Sequence, residues 1–210
     1  MGTITKGILG GFNGTVGTVI GGSWKGIDYM RSRPAKRTNN PTPAQLEQQA
    51  KFAEVIKFLD PMVGLIRMTY RNFAIKMTAF NSAMSYHLRF AITGTYPNFS
   101  IDYSLAQVSR GDLPNTNGPT VTKSDNNINF TWTDNSGTGR ALATDRAILV
   151  AYCPSLNQTI YTTNGGARIA GSGSLNAANF AGETVHTYIG FISEDGKEVA
   201  TSIYTGELSL

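Results

Sequence analysis

The chain has 210 residues, a formal net charge of +4 and a single cysteine. That length suits one large or two small domains with ample material for a core, and one cysteine excludes a framework of intrachain disulfides. The charge is unevenly spread: residues 1–100 hold 12 Lys and Arg against 4 Asp and Glu, and residues 101–210 hold 6 against 10. Halves of opposite sign favour head-to-tail attraction between copies, or a polyanion on the basic half.

Residues 1–40 read as a glycine-rich, basic β-arm. Glycines punctuate the β-formers Ile8, Leu9, Phe12, Val16, Val19, Ile20 and Trp24, and further on Ile27, Tyr29, Arg31 and Arg33 alternate with Asp28, Met30 and Ser32. The pattern predicts short strands and tight turns, with glycine where φ is positive or backbones approach closely. So little side-chain mass predicts poor order alone, and strands that find backbone partners on a sheet edge, either of a neighbouring copy or within the chain as a hairpin. Gly11-x-x-Gly14-x-x-Gly17 lacks the Gly-Lys-Ser/Thr of a phosphate loop and the strand-turn-helix context of a dinucleotide site. Trp24, Lys25, Tyr29, Arg31, Arg33, Lys36 and Arg37 interleave aromatic rings with cations, the chemistry of a single-strand nucleic-acid platform.

Residues 41–94 read as a long helical hairpin. Thr42 is a suitable N-cap, Pro43 suits the first helical position, and Gln45 stands where a capping-box partner reaches back. Leu46, Phe52, Ala53, Ile56 and Leu59 recur at helical spacing, and Asp60-Pro61 marks a second start. The second helix carries Met62, Ile66, Phe73, Met77, Phe80, Met84 and Leu88 on one stripe, with a kink placed at Thr69 to Asn72, and is expected to end near Gly94. About thirty residues at roughly 1.5 Å each give a rod of about 45 Å, too long for the first helix to cover. Met62, Ile66, Met77 and Met84 are therefore expected either as core against other parts of the chain or, in part, at a subunit interface together with the apolar residues of the arm.

Residues 104–210 read as an antiparallel β-sandwich. Strands are expected at 105–109, 120–123, 128–133, 147–152, 159–162, 168–170, 185–192 and 199–204, with turns at Asp125-Asn126-Asn127, Asn164-Gly165-Gly166 and Asp195-Gly196. Ile128-Asn-Phe-Thr-Trp132, Ala151-Tyr152 and Phe180 to Tyr188 resemble the second strand, the third strand and the tyrosine corner of a fibronectin type III module. At whole-chain level, Ser23-Trp24-Lys25-Gly26, Arg31-Ser-Arg-Pro34 and Asn40-Pro-Thr-Pro-Ala-Gln45 resemble a family of uncharacterised bacterial proteins. The Thr-Pro-Ala-Gln piece is also similar to segments of small phage-associated structural proteins. These resemblances imply an adhesive or structural role.

No catalytic constellation stands out. His87 and His186 are the only histidines, and no Cys or His spacing suits a metal. Arg110-Gly111-Asp112 matches an integrin-type tripeptide in what reads as a loop. The first residues lack the n- and h-regions of a secretory signal, and no apolar run is long enough to cross a bilayer. Cytoplasmic synthesis is expected, and the sequence leaves the final location open, a virion-like or extracellular assembly being one option. The expectation is thus an α+β chain without cofactor, metal or small-molecule substrate. It would be a structural subunit that assembles with itself into a filament, tube or ring, with nucleic-acid binding by residues 24–37 as the alternative.

Overall fold

The computed structural model describes residues 2–4, 7, 10–35 and 40–210, and the chain divides into two units, Met1–Pro43 and Ala44–Leu210. In the first, β1 (Thr3–Ile4), β2 (Phe12–Val16), β3 (Val19–Trp24) and β4 (Ile27–Ser32) form one antiparallel sheet in the order β1-β2-β3-β4. Two-residue turns join β2 to β3 and β3 to β4. In the second turn both Lys25 and Gly26 have positive φ, matching the right-handed twist of the flanking strands. The four strands thus pair with one another within the chain, the same-chain alternative of the two expected, with β1 and β4 at the edges of the sheet. Tight turns make the local pairing cheap in chain entropy.

In the second unit, α1 (Pro43–Leu59) starts at its proline and ends before Asp60–Met62, a 3-10 turn. The expected long second helix is two shorter ones, α2 (Val63–Thr69) and α3 (Ala79–Phe90). The Thr69 hydroxyl donates to the carbonyls of Leu65 and Val108, and Tyr70 donates to the Gln107 carbonyl. These hydroxyls anchor the end of α2 to the segment 107–108. Thr78 then caps α3, its hydroxyl accepting from the Asn81 N–H at 3.0 Å. Gly94 lies in a hairpin of β5 (Ile92–Thr95) and β6 (Asn98–Ile101), not at a helix end.

The remaining strands form two sheets. The larger has the order β10-β9-β12-β13, from β9 (Arg146–Cys153), β10 (Gln158–Thr162), β12 (Thr184–Ile192) and β13 (Ile203–Ser209). The smaller has the order β11-β8-β7, from β7 (Asn117–Ser124), β8 (Asn127–Thr133) and β11 (Ser172–Asn176). Ala147, Leu149, Ala151 and Cys153 of β9 join Phe130, Trp132, Ile189 and Phe191 in a core between the two sheets. Ile148, Val150 and Tyr152 point the other way and join Phe58, Met62, Ile66 and Tyr188 in a second core under the helices. Cover on both faces is why β9 is a continuous apolar run instead of an alternating one. The helices thus share a core with the large sheet.

Two expected strands are absent. Residues 105–109 form a connector whose backbone is held by side chains: Tyr86 donates to Leu105 O, Tyr70 to Gln107 O, Thr69 to Val108 O, and Val108 N donates to Ser202 Oγ. Arg168–Ala170 is a 3-10 turn, and the strand follows at β11. Arg168 is fully buried there, so its backbone turns to aim the guanidinium inward.

Candidate functional site

The N-terminal sheet buries only Gly21 among its described residues, and every residue of β4 is exposed. Its register sorts the side chains onto two faces. Val16 pairs with Val19, Val19 with Ser32, Gly21 with Met30 and Ser23 with Asp28. This row puts Val16, Val19 and Met30, with Phe12, on one face as an apolar patch, bordered by Ser23, Asp28 and Ser32. Thr15 pairs with Ile20, Ile20 with Arg31, Gly22 with Tyr29 and Trp24 with Ile27 on the opposite face. Of the interface residues expected from sequence, Phe12, Val16 and Val19 are thus brought together, while Ile20 and Trp24 lie across the sheet from them. Trp24, Tyr29 and Arg31 share a face, Lys25 sits in the adjoining turn and Arg33 follows β4. Ile8, Leu9, Lys36 and Arg37 lie outside the described residues.

The methionine stripe is corrected. Met62, Ile66 and Met84 are buried in the core shared with the large sheet, and of that set only Met77 is substantially exposed. The apolar surface that stays open is elsewhere. α1 buries Val55, Phe58 and Leu59, while Phe52 and Ile56, on the face that reads as core, are 41% and 44% exposed. With Phe80, Met84 and Leu88 they line a groove of about 690 Å³ between α1 and α3. Apolar residues on two sides of α1, Phe52 and Ile56 on one and Val55 and Phe58 on the other, hide which side packs inward, and only the large sheet, unseen in local sequence, decides it.

Both histidines and one buried ion pair are tied into structure. His87 is fully buried, with Nδ1 against Ala83 O at 2.8 Å and Nε2 accepting from Gln107 N–H at 3.2 Å. Those partners require a neutral ring protonated on Nδ1, and burial lowers its pKa to about 4 despite the Ala83 bond. His186 stacks on Tyr103 with ring centroids 3.8 Å apart and meets the Tyr204 hydroxyl at 2.9 Å. Burial lowers its pKa as well, opposed by the charge of Glu207. Arg168 and Asp145 form an ion pair at 3.1 Å with both side chains fully buried. The guanidinium also donates to Asn135 Oδ1 and Pro114 O and lies 4.0 Å from the Phe191 ring centroid. Trp132 Nε1–H donates to Arg168 O at 2.8 Å. Sequence reading missed this clasp, because its residues lie in turns far apart in the chain.

Arg110-Gly111-Asp112 is not a displayed loop. The Arg110 guanidinium lies 4.6 Å from the centroid of Phe73, the Gly111 amide donates to Thr201 Oγ1, and Thr201 donates back to Gly111 O. Among the described residues no group of three or more His, Cys, Asp or Glu converges as a metal site. None of their helices is long and apolar enough to cross a membrane.

The architecture defines the class: a mixed α and β chain with an N-terminal antiparallel sheet, followed by a helical layer and two further sheets about shared cores. The chain belongs to the family described as "Family of unknown function (DUF6266)", whose model matches residues 11–206. The match includes β2, β3 and β4, so the N-terminal sheet is part of what defines the family. No curated protein and no solved structure matches the chain.

Proposed function

We propose that this chain is a non-enzymatic structural subunit that assembles with copies of itself, another copy covering the apolar face of its N-terminal sheet. One observation carries the reading. Phe12, Val16, Val19 and Met30 stand on one face of a four-stranded layer that buries only a glycine. Met30 is 72% exposed. A sheet becomes stable by burying a face against another layer, and a lone layer recovers little of the entropy spent ordering it. Cover from a second copy resolves this and uses residues the family model includes. The opposite charges of the two halves suit asymmetric contacts, which close into rings or run on as filaments.

The three-and-four strand split supports the finer resemblance to a fibronectin type III module, a fold used for adhesive and structural parts. Phage-like assembly remains within this reading through the resemblance of residues 40–45.

The test is light scattering on the size-exclusion peak of the intact chain and of the Met30→Asp and Val16→Asp variants. The reading expects an oligomer for the intact chain and a shift to monomer in both variants, with the far-ultraviolet dichroism of the larger unit retained. A monomeric intact chain at high protein concentration refutes it.

A further inference from the structure

The other face of the N-terminal sheet carries different chemistry. Trp24 pairs with Ile27, Gly22 with Tyr29 and Ile20 with Arg31, so one face presents an indole, a phenol and a guanidinium in succession along the β3–β4 hairpin. Trp24 is 54% exposed and Tyr29 47%. The absent side chain at Gly22 leaves room for the Tyr29 ring, which a Cβ there would meet at 3.0 Å. Residues 1–43 contain six Lys and Arg and one carboxylate, Asp28, which the register places on the opposite face. Arg31 and Arg33 form no ion pair among the described residues.

We propose that this face binds single-stranded nucleic acid, with bases stacking on Trp24 and Tyr29 and phosphates held by Arg31 and Arg33. The chemistry selects the ligand. Aromatic rings exposed on one face of a sheet suit bases that are already unstacked, and a duplex keeps its bases out of their reach. Cations beside the rings, with the carboxylate turned away, suit a backbone of negative charge. An acidic protein surface would use the cations and leave the rings idle. The site is separate from the apolar face of the assembly reading, so either can stand alone.

The experiment is fluorescence anisotropy of a labelled oligothymidylate of roughly 20 nucleotides with the full chain, titrated from roughly 50 to 200 mM salt. The same strand in duplex form and unlabelled polyglutamate serve as competitors. The proposal expects salt-sensitive binding and a preference for the single strand over both competitors. Trp24→Ala should weaken binding about five-fold or more, and Trp24→Phe should restore most of it. Arg31→Ala should lower the slope of log affinity against log salt by about 1. Binding absent at the lowest salt overturns the proposal. So does polyglutamate competing equally per charge, which would assign the face to an acidic partner such as the second half of another copy. Equal affinity for Trp24→Ala and the unaltered chain overturns it too.

Discussion

At the scale of single residues, the chain's unusual groups serve its own core, and their energetics are open to direct measurement. His87 is held neutral, with a folded pKa of about 4 against an ordinary value of 6.5. The unfolded chain therefore takes up a proton at this site that the folded chain refuses. Its contribution to stability is fully present above pH 6.5 and falls by about 3 kcal/mol as pH drops from 6.5 to 4. Urea unfolding at a series of pH values should show a steeper loss over that window for the unaltered chain than for His87→Gln. Equal slopes would mean that the ring is not the group responsible. The Arg168–Asp145 pair gives a second test. Asp145→Ala leaves a buried guanidinium short of a partner and should cost about 3–5 kcal/mol. Arg140→Ala removes only an exposed pair with Glu198 and should cost less than about 1 kcal/mol in the same unfolding assay. Little of this could be seen beforehand. Asp145, Asn135, Pro114 and Arg168 meet only because four turns converge, and no local spacing encodes that.

Among the elements, what was legible followed from periodicity, and what was not followed from long-range contact. The β7–β8 and β9–β10 hairpins, the run of β9 and the alternation of β4 stand where their patterns put them. The helical region differs: periodicity suggests one long helix with a kink at Thr69 to Asn72, and the structure breaks it fully between α2 and α3. At that break the Thr69 and Tyr70 hydroxyls donate to the connector, a partner some forty residues away in sequence. Helix α1 shows the same limit, since its apolar residues on two sides give no local sign of which side meets the sheet. The assigned face is testable. Phe58 is in contact with Tyr103, Tyr152 and His87 rings, and Phe58→Ala should cost about 3–5 kcal/mol in chemical denaturation. Phe52→Ala, in the open groove, should cost less than about 1 kcal/mol. A reversal of that order would mean the helix is rotated.

For the whole molecule, the contrast is between two units that solve the problem of burial differently. Residues 44–210 wrap helices and two sheets around two cores. The N-terminal sheet pairs its four strands with one another and leaves Val16, Val19 and Met30 exposed, and the assembly reading turns on what covers them. The sequence exposes the arm's glycines and β-formers plainly, yet it suggests open backbone as the unmet need, whereas the assembly proposal rests on exposed apolar side chains. Hydrogen–deuterium exchange, measured with mass at several protein concentrations, tests this most directly. The account predicts that amides of β2, β3 and β4 gain protection as oligomer forms, while those of β9 and β12 stay equally protected throughout. Strong protection of β2 to β4 in a proven monomer would contradict it, since the sheet would then be complete without a second copy.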